Sequence, residues 1–93
     1  MRYLYVKWLH KDPGAPVHIY SEVGDDSYER RKVEVYKDGR KGFADASEEV
    51  GGTALGVMPV PSLEEIAEQP GFEPKEISAE DFQKIWMKRR GTA

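Results

Sequence analysis

The feature that most constrains this sequence is a period of two, interrupted at intervals by turn residues. Over residues 2–10, Leu4, Val6 and Trp8 point one way, while Tyr3, Tyr5, Lys7 and Leu9 point the other. That alternation belongs to a half-buried strand. Asp12-Pro13-Gly14 closes the run with turn chemistry. Residues 16–23 form a second predicted strand, with Val17, Ile19 and Val23 on one face, and Gly24-Asp25-Asp26-Ser27 turns the chain again. Residues 28–37 form a third, with Val33 and Val35 inward, and residues 40–45 a short fourth. Between them Asp38-Gly39 carries the signal of a type I′ hairpin.

The alternation also predicts a register. With Ile19 opposite Val33 and Val17 opposite Val35, both apolar sets share one face. The reverse face then pairs Glu22 with Arg30, His18 with Glu34, and Tyr20 with Lys32, complementary partners across strands.

After residue 45 the period changes. Residues 46–61 read as a long connection rich in Gly and acidic residues, with a short strand expected near Thr53–Leu55. Ser62-Leu63-Glu64-Glu65 is a capping box, and Leu63, Ile66 and Ala67 give a short apolar stripe that Pro70-Gly71 stops. Ser78-Ala79-Glu80-Asp81 starts a second helix, with Ile77 and Phe82 spaced as a hydrophobic staple. Phe82, Ile85 and Trp86 continue at helical spacing, Lys88, Arg89 and Arg90 suit the last turn, and Gly91 can end it. The predicted fold class is therefore α+β: an antiparallel four-stranded meander with two C-terminal helices packed on one face. It is expected as a single domain over residues 1–93, with Trp8, Ile19, Val33 and Trp86 meeting in one apolar layer.

Composition narrows the chemistry. The absence of cysteine removes disulfides, thiolate metal sites and Cys nucleophiles. No apolar run reaches membrane-spanning length and no signal-peptide core opens the chain, so a cytoplasmic location is expected. The formal net charge of −3 disfavours nucleic acid, whose binders carry a basic excess. It suits a basic protein partner better.

Candidate reactive residues each have a plainer explanation. His10 and His18 fall on opposite faces of the predicted hairpin, whereas metal ligands must converge on one point. Glu64, Glu65, Glu80 and Asp81 lie in first turns of helices, where capping and the dipole account for them. Ser62 and Ser78 read as N-caps. Gly51-Gly52-Thr53 with Gly56 lacks a phosphate-binding lysine and does not lead into a helix, so it reads as a tight turn. Arg31 shares the phase of Val33 and Val35. It is expected to snorkel at the edge of the core, the alternative being a buried pair with a carboxylate of the helical segment. No cofactor or metal is expected.

The more informative constellation is the sheet face opposite the predicted core. It would present Tyr5, Lys7, His18, Tyr20, Arg30, Lys32, Glu34, Tyr36 and Phe43, aromatics interleaved with charges. Such a face suits a protein interface or, alternatively, a stacking platform for single-stranded nucleic acid.

The opening Met1-Arg2-Tyr3-Leu4, continued by Val6, Trp8 and His10, together with Pro59-Val60-Pro61-Ser62-Leu63-Glu64-Glu65-Ile66, resembles a family of small uncharacterised bacterial proteins. Tyr20-Ser21-Glu22, Arg31-Lys32-Val33-Glu34, Asp38-Gly39, Gly51-Gly52-Thr53, Ile77-Ser78-Ala79-Glu80 and Phe82 extend the likeness over essentially the whole chain. The resemblance implies one compact domain of unknown function and transfers no catalytic residues. Small bacterial families of this kind often include immunity proteins that neutralise toxins. The expectation is a non-enzymatic protein-binding module, with an immunity-type protein masking a toxin as its specific form. Tyr20, Tyr36 and Phe43 would anchor the partner, with Glu22, Arg30, Lys32, Glu34, Glu48 and Glu49 as the charged contacts. A nucleic-acid-binding module and a small-ligand regulator with a pocket between sheet and helix are the alternatives.

Overall fold

The computed structural model describes residues 1–90. Alternating residues form the strands β1 (Arg2–Trp8), β2 (His18–Val23), β3 (Glu29–Val35) and β4 (Lys41–Ala44). Two further strands follow, β5 (Glu49–Val50) inside the long connection and β6 (Phe72–Glu76) between the helices α1 (Leu63–Ala67) and α2 (Ala79–Met87). All neighbours pair antiparallel in one six-stranded sheet of order β5-β4-β3-β2-β1-β6. The four-stranded meander is thus corrected to a mostly-sheet fold with two short helices. The strand expected near Thr53–Leu55 forms instead at Glu49–Val50.

β6 adds to the free side of β1, placing Trp8 beside Phe72 with ring centroids 5.4 Å apart. Leu9 N–H donates to Gly71 O and Ile77 N–H to Tyr3 O, so the odd-numbered residues of β6 face β1. Pro74 has its nitrogen on the outer margin, where a missing N–H breaks no ladder bond.

The helices occupy opposite faces, not one. Because β1 alternates, Tyr3 and Tyr5 lie on one side and Leu4 and Val6 on the other. Helix α2 lays Phe82 and Trp86 on the first side, against Val33 and Phe43, with Tyr3, Tyr20, Val35, Ile77 and Ile85 around them. Helix α1 stands on the second side along β6, where Ile66 and Leu4, Val6, Ile19 and Phe72 line one cleft. The layer expected to unite Trp8, Ile19, Val33 and Trp86 is therefore two layers, one on each side of the sheet.

The cause is a bulge. The predicted β2–β3 register holds only for Val23 opposite Glu29, beside the turn. Arg30 is then the extra residue, and from Glu22–Arg31 onward every pair is shifted by one: Tyr20 faces Val33, Ile19 faces Glu34 and His18 faces Val35. A one-residue slip exchanges the faces of everything beyond it. Ser27, at φ 69°, takes the left-handed backbone that closes this turn. The next hairpin also departs from expectation. Gly39 is left-handed at φ 88° but Asp38 is not, as a type I turn with a glycine bulge requires rather than type I′.

The shift settles Arg31. Its guanidinium donates to both carboxylate oxygens of Glu22, at 2.8 and 2.6 Å, and sits 4.9 Å from the ring centres of Phe82 and of Trp86. It is a paired, largely covered charge whose partner lies on β2, neither an edge residue nor bound to a helical carboxylate. Both helix starts form as read. Ser62 and Glu65 make the reciprocal capping box, and Ser78 accepts from the Asp81 amide. Helix α2 ends at Met87 with Lys88 as its cap, and Gly91 lies outside the described residues.

Candidate functional site

The nine residues expected to form one contact surface are dispersed. Phe43 is buried and Tyr20 half-buried on the α2 side, where burial raises the Tyr20 hydroxyl pKa. Glu22 lies on that side too. The hydrogen bonds from Arg31 hold its carboxyl below the usual range, against the opposing effect of burial. Lys32 and Glu34 face the other side. Arg30 is exposed at the bulge and pairs with Asp26 at 2.9 Å. Tyr36 lies half-buried beneath the Arg40 guanidinium, 4.5 Å from its ring centre. Glu48 is ion-paired with Arg90, and Glu49 is exposed on β5. Tyr20 and Lys32 lie on opposite faces, so the two do not stand together on the platform expected for single-stranded nucleic acid.

What the structure brings together is the connection between β5 and α1. It begins with Gly51 and Gly52, both left-handed, which turn Thr53 down onto the sheet. Thr53 is 1% exposed, and its hydroxyl donates to Glu34 at 2.7 Å. Its Oγ1 occupies the space over Gly42 where a Cβ would stand, 2.2 Å from that position. The next carbonyl, Ala54 O, accepts from Lys32 Nζ at 3.2 Å, and Gly56 N–H donates to Glu29 Oε1 at 2.6 Å. On the far side, Val60 N–H donates to Ser27 O at 2.7 Å.

Glu29 is the hub of this arrangement. Its side chain is 8% exposed, pairs with Lys32 Nζ at 2.9 Å and accepts the Ser21 hydroxyl at 3.2 Å. The bulge after Val23 brings it there, since Glu29 keeps the face of Val23 while Arg30 is extruded. The loop is thus pinned at Gly56 and at Val60 to groups that the sheet already holds.

Between those pins stand Val57 and Met58, 88% and 72% exposed. An exposed apolar pair on a backbone fixed at both ends is a preorganised contact element, because little chain entropy remains to be lost on binding. The segment it belongs to carries one sign of charge, while Arg2, from β1, reaches Val60 O at 3.5 Å. Residues 42–74 contain Asp45, Glu48, Glu49, Glu64, Glu65, Glu68 and Glu73, and no Lys, Arg or His. Sequence reasoning marked the connection but not Val57, Met58 or Glu29. The available signal was two adjacent apolar residues in a segment with no periodicity to bury them.

His18 Nδ1 bonds the Tyr5 hydroxyl at 2.7 Å, and His10 Nε2 bonds Pro16 O at 2.7 Å. Among the described residues no three His, Asp or Glu side chains converge as a metal-ligand set, and no helix is long and apolar enough to cross a membrane.

Comparison with known protein families gives a match. A family described as a domain of unknown function, DUF6881, matches residues 2–91. No curated protein and no solved structure matches the chain.

Proposed function

The chain belongs to the DUF6881 family, and for it we propose a non-enzymatic protein-binding module whose anchor is Val57–Met58. The observation that carries this reading is that pair's exposure on a loop pinned at Gly56 and Val60. The acidic segment around it favours a partner whose apolar pocket has a basic rim. The specific form we favour is an immunity-type protein of the bacterial cytoplasm, covering the functional surface of a toxin. An acidic mask suits a toxin that is itself basic. Of the acidic residues first expected at the contact, Glu49 is exposed, whereas Glu22 and Glu34 are engaged internally by Arg31 and Thr53.

The test uses the intact chain as bait in a lysate of its native host, beside a Val57→Ser/Met58→Ser variant matched in thermal stability. A protein retained by the first bait, lost with the second and released by moderate salt supports the reading. Equal retention on both baits refutes it, as does the absence of any enriched protein. For the immunity form, a toxin encoded beside the gene should be the retained protein, and co-expression should restore growth to cells making that toxin.

A further inference from the structure

The sheet face under α1 is incompletely filled. Leu4, Val6, Ile19, Ile66 and Phe72 wall a cleft of about 230 Å³, and exposed Gln69 stands at its rim. An apolar cavity of roughly 150 Å³ already holds a benzene-sized ligand. This cleft is larger and is not wholly apolar, because Ser21, Glu29 and Lys32 also line it. Buried charged groups in a small apolar recess are the usual means of orienting a ligand.

The unused hydrogen-bonding capacity of those groups defines what would fit. The Lys32 ammonium has three donors. Glu29 Oε1 at 2.9 Å and Ala54 O at 3.2 Å engage two, leaving one. Glu29 Oε2 accepts only the Ser21 hydroxyl, at 3.2 Å, and retains acceptor capacity. One donor and one acceptor thus remain on residues that line the recess. The charges of Glu29 and Lys32 cancel, so an anion would be desolvated against Glu29 and a cation against Lys32. A purely apolar guest would cover the remaining donor without pairing it.

We propose that this cleft binds a small neutral molecule with an apolar body and an amide head. The amide carbonyl accepts from Lys32, its N–H donates to Glu29, and the body lies against Leu4, Val6, Ile19 and Phe72. The cleft shares Glu29 and Lys32 with the groups that pin the loop but does not include Val57 or Met58, and its test does not involve a protein partner.

The probe is hexanamide, titrated into the full chain with methyl-resolved NMR on Leu4, Val6, Ile19 and Ile66. Hexanoate and hexylammonium, of equal chain length, serve as charged comparators. Hexanamide should shift those methyls saturably and bind at least about tenfold tighter than either comparator. Lys32→Met should weaken it by a similar factor. Ile66→Trp fills the cleft without touching the ion pair and should abolish the shifts in a chain whose dichroism is unchanged. Unmoved methyls in the wild-type chain, equal affinity for all three probes, or undiminished binding to Ile66→Trp would each overturn the proposal.

Discussion

Replacing Arg31 with methionine should reveal how far the α2 side of the sheet depends on one ion pair. The methionine keeps an unbranched apolar stem between Phe82 and Trp86 but removes both hydrogen bonds to Glu22. Glu22 is 7% exposed, so its carboxylate would be left without its cationic partner in a largely covered site. Breaking a buried pair on one side costs about 3–5 kcal/mol. The Arg31 side chain is 23% exposed, which puts the loss at the lower end, near ~3 kcal/mol. For a domain of this length that is a fall of about 12–24 °C in Tm. The assay is urea unfolding of both proteins from pH 7 to pH 4. In the wild type the Glu22 carboxyl is held below its unfolded value, so its contribution is complete above the usual carboxylate range. That contribution is lost as pH falls through the folded value. In Arg31→Met, burial without a partner pushes the Glu22 carboxyl up, and the variant regains stability as the pH falls and the group becomes neutral. The gap between the proteins should therefore be widest at pH 7 and narrow toward pH 4. Adding Glu22→Gln to the variant should recover part of the loss at pH 7. A cost under about 1 kcal/mol at pH 7, or a gap that does not change with pH, would refute the reasoning.

Three shorter predictions concern the loop and helix starts. Gly42→Ala drives a Cβ into Thr53 Oγ1 and should cost about 1–3 kcal/mol in chemical denaturation, with Gly42→Ser no better. Glu29→Gln removes the charge that holds Lys32 and weakens the acceptor for Gly56 N–H. Hydrogen exchange at Gly56 should then accelerate well before exchange in β2, whereas equal acceleration in both would mean that the whole sheet opened. Ser78→Ala deletes the cap on α2 and should lower stability by about 1 kcal/mol, while Ser78→Asp should restore most of it.

What could be read in the sequence was what local chemistry decides alone. The alternation of β1, the turn clusters and both serine caps appear where the residues imply them, because each depends on a few neighbours in the chain. The β2–β3 register could not be read in this way. Tyr20, Ile19, Val33 and Val35 are apolar enough to satisfy either register, and the choice falls to the extra residue at Arg30. The charge pattern was equally permissive, since Glu22 finds a cation opposite it at Arg30 or at Arg31. β6 was hidden because Phe72-Glu73-Pro74-Lys75-Glu76 is short and contains proline, and its ladder depends on β1, some 70 residues earlier. The contact surface inherited the register error. Once Tyr20 and Phe43 turn beneath α2, an adjacent pair of strongly exposed apolar residues is found on the loop instead, at Val57 and Met58.

Pro74 has a consequence for how such molecules behave in a crowd. A sheet whose outermost strand offers a full row of amide hydrogens is a template on which further chains can grow end over end. Here that row is interrupted at its middle residue, and charged Glu73 and Lys75 flank the gap. The margin formed by β6 is thereby a poor seed for fibre growth, whatever the concentration of its neighbours.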